Sequence, residues 1–327
     1  MIDGFGRTID YVRLSVTDRC NLRCLYCMPE SGVEQLSHTQ IMRFEEMLRL
    51  CRVLAAMGVS KFKVSGGEPL VRRGVCGFIS DLKQLPGVEQ VTVTTNGVLL
   101  RQNLAALKQA GIDGINISLD TLNEYTYREL SRVGEIDGVL EGLQAALAAG
   151  IRPLKINAVL LKGKNDGELE NLAALARDMD ISVRFIELMP IGLGTVYEPV
   201  SGEEVLARLI KAYGQPEEFT GTLGNGPASY YTFPGFKSQI GLINAVSHAF
   251  CRSCNRVRLT ADGWLKLCLQ YDIGADLLTP LRNGASDAEL SQLIAQAVAQ
   301  KPEKHGFDRE RGQISNREIK NMNSIGG

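Results

Sequence analysis

No stretch of this sequence approaches the roughly 18–20 consecutive apolar residues needed to cross a bilayer. An excess of charge of either sign is lacking too, since 36 Lys and Arg against 37 Asp and Glu leave a formal net charge of −1. Near-neutrality gives no overall electrostatic footprint for nucleic acid or a membrane surface. The N-terminal MIDGFGRTIDYVRL has neither the apolar core of a secretory signal nor the Arg- and Ser-rich, acid-poor character of a transit peptide. Fixed-period repeats and low-complexity tracts are also missing. These absences lead us to expect a cytoplasmic protein with no nucleic-acid partner and no membrane. The 327 residues, 44% of them hydrophobic, are enough to bury one large core or two modest ones.

Cysteine, by contrast, is plentiful. Eight cysteines are many for a compartment that keeps thiols reduced. Cys20, Cys24 and Cys27 form one group and Cys251, Cys254 and Cys268 a second, while Cys51 and Cys76 stand alone in helix-period stretches and read as buried thiols. Clustered thiols in a reducing compartment are metal ligands or catalytic groups more often than staples.

Short β-rich runs alternate with helical patterns over the first 190 or so residues. Strands are expected near 11–17, 61–65, 90–95, 114–119, 154–160 and 182–188, with helices near 40–57, 101–110, 137–149 and 167–179. Gly58, Gly111 and Gly150 sit where C-caps fall. Six β–α steps imply a parallel, right-handed α/β sheet.

Parallel strands covered on both faces read as continuous apolar runs, but five of these alternate. Val12, Leu14 and Val16 oppose Tyr11, Arg13, Ser15 and Thr17; Phe62 and Val64 oppose Lys61, Lys63 and Ser65; Val91 and Val93 oppose Thr92, Thr94 and Asn96. The same holds for Ile115, Ile117 and Leu119 against Asn116, Ser118 and Asp120, and for Leu154, Ile156, Ala158 and Leu160 against Lys155 and Asn157. Only the sixth, Val183 to Leu188, does not alternate.

A sheet with a polar second face is explained by curling: helices outside, a wet cavity inside. Strands at the edge of an open sheet would give the same pattern. A partial (β/α)6 TIM-like barrel is the expectation, with chemistry at the C-terminal strand ends. After about residue 195 the rhythm changes to a helix near 201–213, a Gly/Pro-containing stretch at 221–227, short β-like segments and a polar helix near 286–300. We expect two units, a barrel over 1–195 and a smaller C-terminal α+β unit over 196–327 covering the barrel opening.

Cys20-x3-Cys24-x2-Cys27 falls in the loop after the first strand. Thiolates suit iron–sulfur clusters or zinc, but a structural zinc site asks for four ligands. His38 matches no short zinc spacing. A [4Fe–4S] cluster on three cysteines leaves one iron for a small molecule; a Cys24/Cys27 redox pair is the plainer alternative. The motif, with Tyr26 before its last cysteine, and Gly66-Gly67-Glu68-Pro69 after the second strand resemble the radical S-adenosylmethionine superfamily. That resemblance implies S-adenosylmethionine on the open iron and a 5′-deoxyadenosyl radical as product of its cleavage.

Cys251-x2-Cys254-x13-Cys268 is a second trio. A zinc knuckle completed by His248, or one zinc shared by Cys24, Cys27, Cys251 and Cys254, are the rival readings. In an extended Cys254-Asn255-Arg256-Val257-Arg258, Cys254, Arg256 and Arg258 share a face. With Arg13, Lys63 and Lys155 they form a cationic pocket suited to phosphate oxygens. Both trios, the Arg-Val-Arg segment and the terminal Ile325-Gly326-Gly327 resemble the GTP 3′,8-cyclases of molybdenum-cofactor biosynthesis from about Arg13 to Gly327.

The family likeness implies two [4Fe–4S] clusters, the first on Cys20, Cys24 and Cys27 and the second on Cys251, Cys254 and Cys268. It implies that Tyr26, Gly67, Ser118 and Met189 line the S-adenosylmethionine site and that Arg13, Lys63, Thr94, Lys155, Arg256, Val257 and Arg258 bind GTP. Arg13, Arg256, Arg258 and the tail glycines Gly326 and Gly327 would support catalysis. The reaction would be hydrogen abstraction from C3′ and attack on C8, giving 3′,8-cyclo-7,8-dihydroguanosine 5′-triphosphate. Partners would be GTP, an electron donor and the pyranopterin-forming enzyme of the next step, with a homodimer admissible. Lys63 departs from the family, where arginine is usual; lysine keeps the charge but loses the bidentate fork. A radical enzyme acting on a peptide and a non-catalytic iron–sulfur redox sensor are the competing functions.

Overall fold

Residues that alternate between apolar and polar can satisfy a strand only if one face is packed and the other meets something polar. A computed structural model, which describes residues 1–247, 250–307 and 318–326, shows both surroundings. Six strands, β1 (Tyr11–Ser15), β2 (Lys61–Ser65), β3 (Gln90–Thr95), β4 (Ile115–Ser118), β5 (Leu154–Val159) and β6 (Ser182–Ile186), pair in parallel in chain order. Their apolar side chains, Val12, Leu14, Phe62, Val64, Val91, Val93, Ile115, Ile117, Ile156 and Val183, are buried in one core with those of the flanking helices. Leu50 and Leu54 of Phe44–Ala56, Phe78 and Leu82 of Val75–Lys83, and Leu172 of Leu169–Asp178 complete that core. Each such side chain contributes about 1.5–3 kcal/mol on leaving water.

The expected helices form at Leu100–Gln109, Asp137–Ala148, Gly202–Tyr213 and Asp287–Ala299. Val75–Lys83 and Glu124–Ser131 are further helices that the periodicity did not single out. Gly58, Gly111 and Gly150 end their helices at φ of +95°, +74° and +70°, the left-handed region that C-caps favour. No helix among the described residues is long and apolar enough to cross a membrane.

The later part of the chain supplies β7 (Glu217–Glu218), β8 (Ser229–Thr232), β9 (Ile240–Ile243), β10 (Arg256–Leu259), β11 (Trp264–Lys266) and β12 (Gly274–Asp276). These strands join the same 12-stranded sheet, in the order β12-β11-β10-β1-β2-β3-β4-β5-β6-β9-β8-β7. β10 runs parallel to β1 and β9 parallel to β6, so the C-terminal chain lengthens both edges of the barrel wall. The sheet order is linear, and among the described residues the wall is not closed by hydrogen bonds.

Register decides which polar side chains are neighbours. Arg258, Arg13, Lys63 and Thr92 stand side by side on β10, β1, β2 and β3. Thr94, Asn116, Lys155 and Ser182 make a second row across β3 to β6, and Ser118, Asn157 and Arg184 a third.

Candidate functional site

The cavity of about 320 Å³ at the C-terminal ends of the strands is lined by all six clustered cysteines: Cys20, Cys24, Cys27, Cys251, Cys254 and Cys268. The first trio is shaped by its loop. Cys27 and Met28 donate their N–H to the Cys24 carbonyl at 3.0 and 3.2 Å, and Leu22 N–H donates to the Cys20 sulfur at 3.4 Å. This loop rests on the Gly66-Gly67-Glu68-Pro69 turn: Gly67 N–H donates to Thr17 O at 2.7 Å and Glu68 N–H to Arg19 O at 2.8 Å. A Cβ at Gly66 would lie 2.5 Å from Thr17 O, and one at Gly67 2.4 Å from Arg19 O, so neither position admits a side chain.

Glu68 does not face the ligand space freely. Its carboxylate accepts from Leu70 N–H, Thr95 Oγ1 and Asn96 N–H at 2.9, 2.8 and 2.6 Å. Burial pushes its pKa up to about 7 against those hydrogen bonds. Asp120, pushed up to about 6 by burial, accepts from Tyr26 Oη at 2.7 Å and Val159 N–H at 2.8 Å. Tyr26, Gly67, Ser118 and Met189, the positions expected to meet S-adenosylmethionine, all line this cavity. So does Asn157, whose Oδ1 is buried without a hydrogen-bond partner, as is that of Asn323. Polar atoms left like this in a cavity suit a polar ligand.

The two trios sit in opposite electrostatic surroundings. Burial, then the neighbouring Cys27 and Asp120, push the Cys24 thiol well above its ordinary value; burial also raises Cys20, and Cys27 rises to about 12. In the second trio burial raises Cys251, but Cys254 is lowered overall: burial acts upward and is outweighed by the Lys301 and Arg256 cations and by hydrogen bonds from Arg256. His305 N–H donates to the Cys251 sulfur at 3.4 Å. The guanidinium of Arg256 also lies 4.9 Å from the Phe250 ring centre. Lys301 and His305 escaped the sequence reading because they lie on neither a strand nor a cysteine motif.

Among the described residues no three His, Cys, Asp or Glu side chains could hold a single metal ion. A cubane, whose irons occupy separate corners, asks for a wider placement. Three thiols that burial keeps protonated need a strong positive centre to ionise them, and iron supplies one. The first trio therefore fits a [4Fe–4S] cluster. His248 and Gly327 lie outside the described residues.

Below the main cavity the cations gather. Arg13, Thr94, Arg256, Val257 and Arg258 line the main space, whereas Lys63 and Lys155 line an adjoining cavity of about 20 Å³ with Arg184. Lys63 and Lys155 thus face a separate compartment from Arg13. Arg184 was hidden in the one strand that did not read as alternating. Its Nη2 donates to Asn116 Oδ1 at 2.5 Å, and its Nε is buried without a hydrogen-bond partner. Burial, then Arg184, Arg13, Lys155 and Arg256, hold the Lys63 pKa well below the lysine range. Burial, then Arg184, brings Lys155 down to about 7. Lys155 Nζ donates to Leu223 O at 2.5 Å. Among the described residues no carboxylate forms an ion pair with Lys63, Lys155, Arg184, Arg256 or Arg258. Such a group of buried cations is costly unless an anion arrives.

The tail closes the site from above. Arg258 Nη1 donates to Gly326 O at 3.4 Å, Asn323 Nδ2 to Asp18 O at 3.2 Å, and Met322 and Asn323 line the main cavity.

Comparison with known proteins gives this geometry relatives. Residues 14–176 match the Radical SAM superfamily and residues 181–307 match Molybdenum Cofactor Synthesis C. The GTP 3′,8-cyclase of Heliobacterium modesticaldum is 46% identical over 308 residues, 93% of this chain and 94% of that protein. That of Moorella thermoacetica is 45% identical over 331 residues, 100% of each. Among solved structures, Streptococcus suis SuiB bound to S-adenosylmethionine shares the fold at a TM-score of 0.57 and 14% identity, over 88% of this chain and 68% of that one.

Proposed function

This chain belongs to the GTP 3′,8-cyclase family of the radical S-adenosylmethionine superfamily, and from that premise we propose how its trios and its cationic rows divide the work. The protein is a radical enzyme of the first step of molybdenum cofactor biosynthesis, converting GTP to (8S)-3′,8-cyclo-7,8-dihydroguanosine 5′-triphosphate. When bound, the [4Fe–4S] cluster and S-adenosylmethionine supply the 5′-deoxyadenosyl radical that removes the C3′ hydrogen.

Cys20, Cys24 and Cys27 hold that cluster, and Tyr26, Gly67, Ser118 and Met189 border S-adenosylmethionine. Cys251, Cys254 and Cys268 hold a second [4Fe–4S] cluster toward the guanine end. The triphosphate runs down the wall, with Arg13, Arg256 and Arg258 at its upper part and Lys63, Lys155 and Arg184 at its lower part. Thr94 and Val257 border the nucleotide between them. Gly326, whose carbonyl meets Arg258, and the terminal Gly327 support turnover, as the family likeness implies. An external electron donor serves the first cluster, and the product passes to a pyranopterin-forming enzyme. We place this activity in the cytoplasm, and we take residues 1–195 as the barrel unit and 196–327 as the unit that carries the second trio.

The observation that carries the reading is the crowding of Lys63, Lys155, Arg184, Arg256 and Arg258, which have no carboxylate partner among the described residues, next to a thiol trio. A peptide substrate gives no reason for it. Anaerobically reconstituted, reduced protein given GTP and S-adenosylmethionine should yield the cyclic nucleotide and 5′-deoxyadenosine. Formation of 5′-deoxyadenosine with GTP left intact would refute the substrate while sparing the superfamily.

A further inference from the structure

Lys63, Lys155, Arg184, Arg256 and Arg258 have no carboxylate partner among the described residues, yet one buried lysine at the main cavity is paired. Lys266, on β11, meets Glu318 in an ion pair whose side chains are each 1% exposed. Lys266 Nζ also donates to Tyr271 O at 2.5 Å. Glu318 is tied on its other sides: its N–H donates to Gln270 O at 2.7 Å, and its Oε1 accepts Lys320 N–H at 2.7 Å. Gln270 Oε1 in turn accepts Gly306 N–H. One end of the tail is therefore clamped to the segment that carries Cys268.

The other end reaches across the cavity. After Asn321, the short helix Met322–Ile325 brings Asn323 to Asp18 O and to the Cys27 thiol, and Gly326 O to Arg258. A helix of this length has no stability of its own. Its far end is packed, with Asn323 and Ile325 each 1% exposed, and its polar contacts are those of Asn323 with Asp18 O and the Cys27 thiol and of Gly326 O with Arg258. The charged anchor of the segment is the buried pair, and removing one member leaves the other charge uncompensated away from water.

We propose that Lys266 and Glu318 form a positioning latch that holds Met322–Gly326 between the two trios. Neither residue touches the reacting atoms. They act through Asn323 and Gly326 on the loop of the first trio and on Arg258. The effect on turnover rests on the cyclase reading above; the effect on the tail does not.

The test uses the full chain, reconstituted anaerobically, as Glu318→Gln, Lys266→Met and the double variant. Amide hydrogen exchange over the terminal peptide, without GTP, should accelerate about tenfold in each single variant. The double variant should show no more than that, the mark of one coupled pair. Iron and labile sulfide should match the unmodified chain. With GTP, kcat should fall by about tenfold while KM stays within about threefold, a loss of alignment and not of binding. Unchanged tail exchange, single effects that multiply in the double variant, or a matching loss of iron would each overturn the proposal, the last by making the pair a prop for Cys268. If the single variants do not fold, the charge-reversed pair Lys266→Glu with Glu318→Lys decides. A protected tail in that protein supports the latch; an exposed tail, or no folding, sinks it. Accelerated tail exchange in the variants as expected, with no GTP conversion by the unmodified protein, would instead refute the reaction assigned above and leave the latch standing.

Discussion

The two thiol trios line one cavity, but their surroundings differ in sign. Cys20, Cys24 and Cys27 share theirs with the buried carboxyls of Glu68 and Asp120, and burial raises all three thiols. Cys254 sits beside Lys301 and Arg256, which pull its pKa down. Negative charge near the first trio favours a ligand with an amino group or a sulfonium, whereas positive charge near the second favours an anionic ligand such as a nucleotide. One cavity thereby presents opposite charge at its two trios.

The sharpest way to break this division is to remove a ligand on each side. Cys24→Ser should abolish 5′-deoxyadenosine formation, a loss of at least about 100-fold, since disturbing even an outer partner of a metal ligand costs up to that much. Cys268→Ser should leave uncoupled S-adenosylmethionine cleavage measurable while GTP conversion disappears. Equal loss of cleavage in both would mean that the trios do not divide the work. Next in size, Arg258→Ala should raise the KM for GTP by about 10–100-fold, the value of a charge-assisted hydrogen bond. Its rate of uncoupled cleavage should stay close to that of the unmodified protein.

The sequence made one side of this comparison easier to read than the other. Strands β1 to β5 alternate cleanly because their inward residues are polar, and the structure places Arg13, Lys63, Thr94, Asn116 and Lys155 on rows of neighbours. β6 also alternates, with Val183 and Phe185 in the core. Its inward positions are Arg184 and Ile186, and the apolar Ile186 masks the pattern. The parallel partners β9 and β10 could not be assigned to the barrel edges from pattern alone, because register between distant segments has no local signature. Lys301, His305 and the Lys266–Glu318 pair were equally illegible, since each is defined by a contact between segments far apart in the chain.

Smaller effects sharpen the contrast. Gly67→Ala would bring a Cβ to 2.4 Å from Arg19 O, directly under the first trio. It should lower stability by about 1–3 kcal/mol, as overpacking does, measured as a fall in thermal midpoint, and should weaken S-adenosylmethionine binding more than GTP binding. The lower cradle gives a pH signature. Lys155 has a folded pKa of about 7 against an ordinary 10.5. Between those values the unfolded chain binds more protons than the folded one, so this group makes the nucleotide-free protein more stable as pH rises from about 7. GTP needs the charged lysine, so its affinity should fall over the same window, by up to about tenfold per pH unit for a single linked proton. Calorimetric titration at several pH values checks the sign, and an affinity that rises above pH 7 would contradict it.

Lys63→Arg is the mildest change and tests why a lysine can serve in this cradle. Burial and then Arg184, Arg13, Lys155 and Arg256 hold Lys63 well below the usual lysine range, so the empty site can relieve its crowding by shedding this proton. An arginine cannot do so. The variant carries a permanent charge among four other cations, and its nucleotide-free thermal midpoint should fall. GTP supplies the missing negative charge, so the midpoint gained on adding GTP should grow. Near pH 7 the KM should shift by no more than about threefold, because lysine already binds phosphate as a point charge. At higher pH the variant should bind GTP more tightly than the parent, flattening the pH profile. A midpoint unchanged by the substitution, with and without GTP, would show that Lys63 stands outside the phosphate path, and would confine the cradle to Arg13, Lys155, Arg184, Arg256 and Arg258.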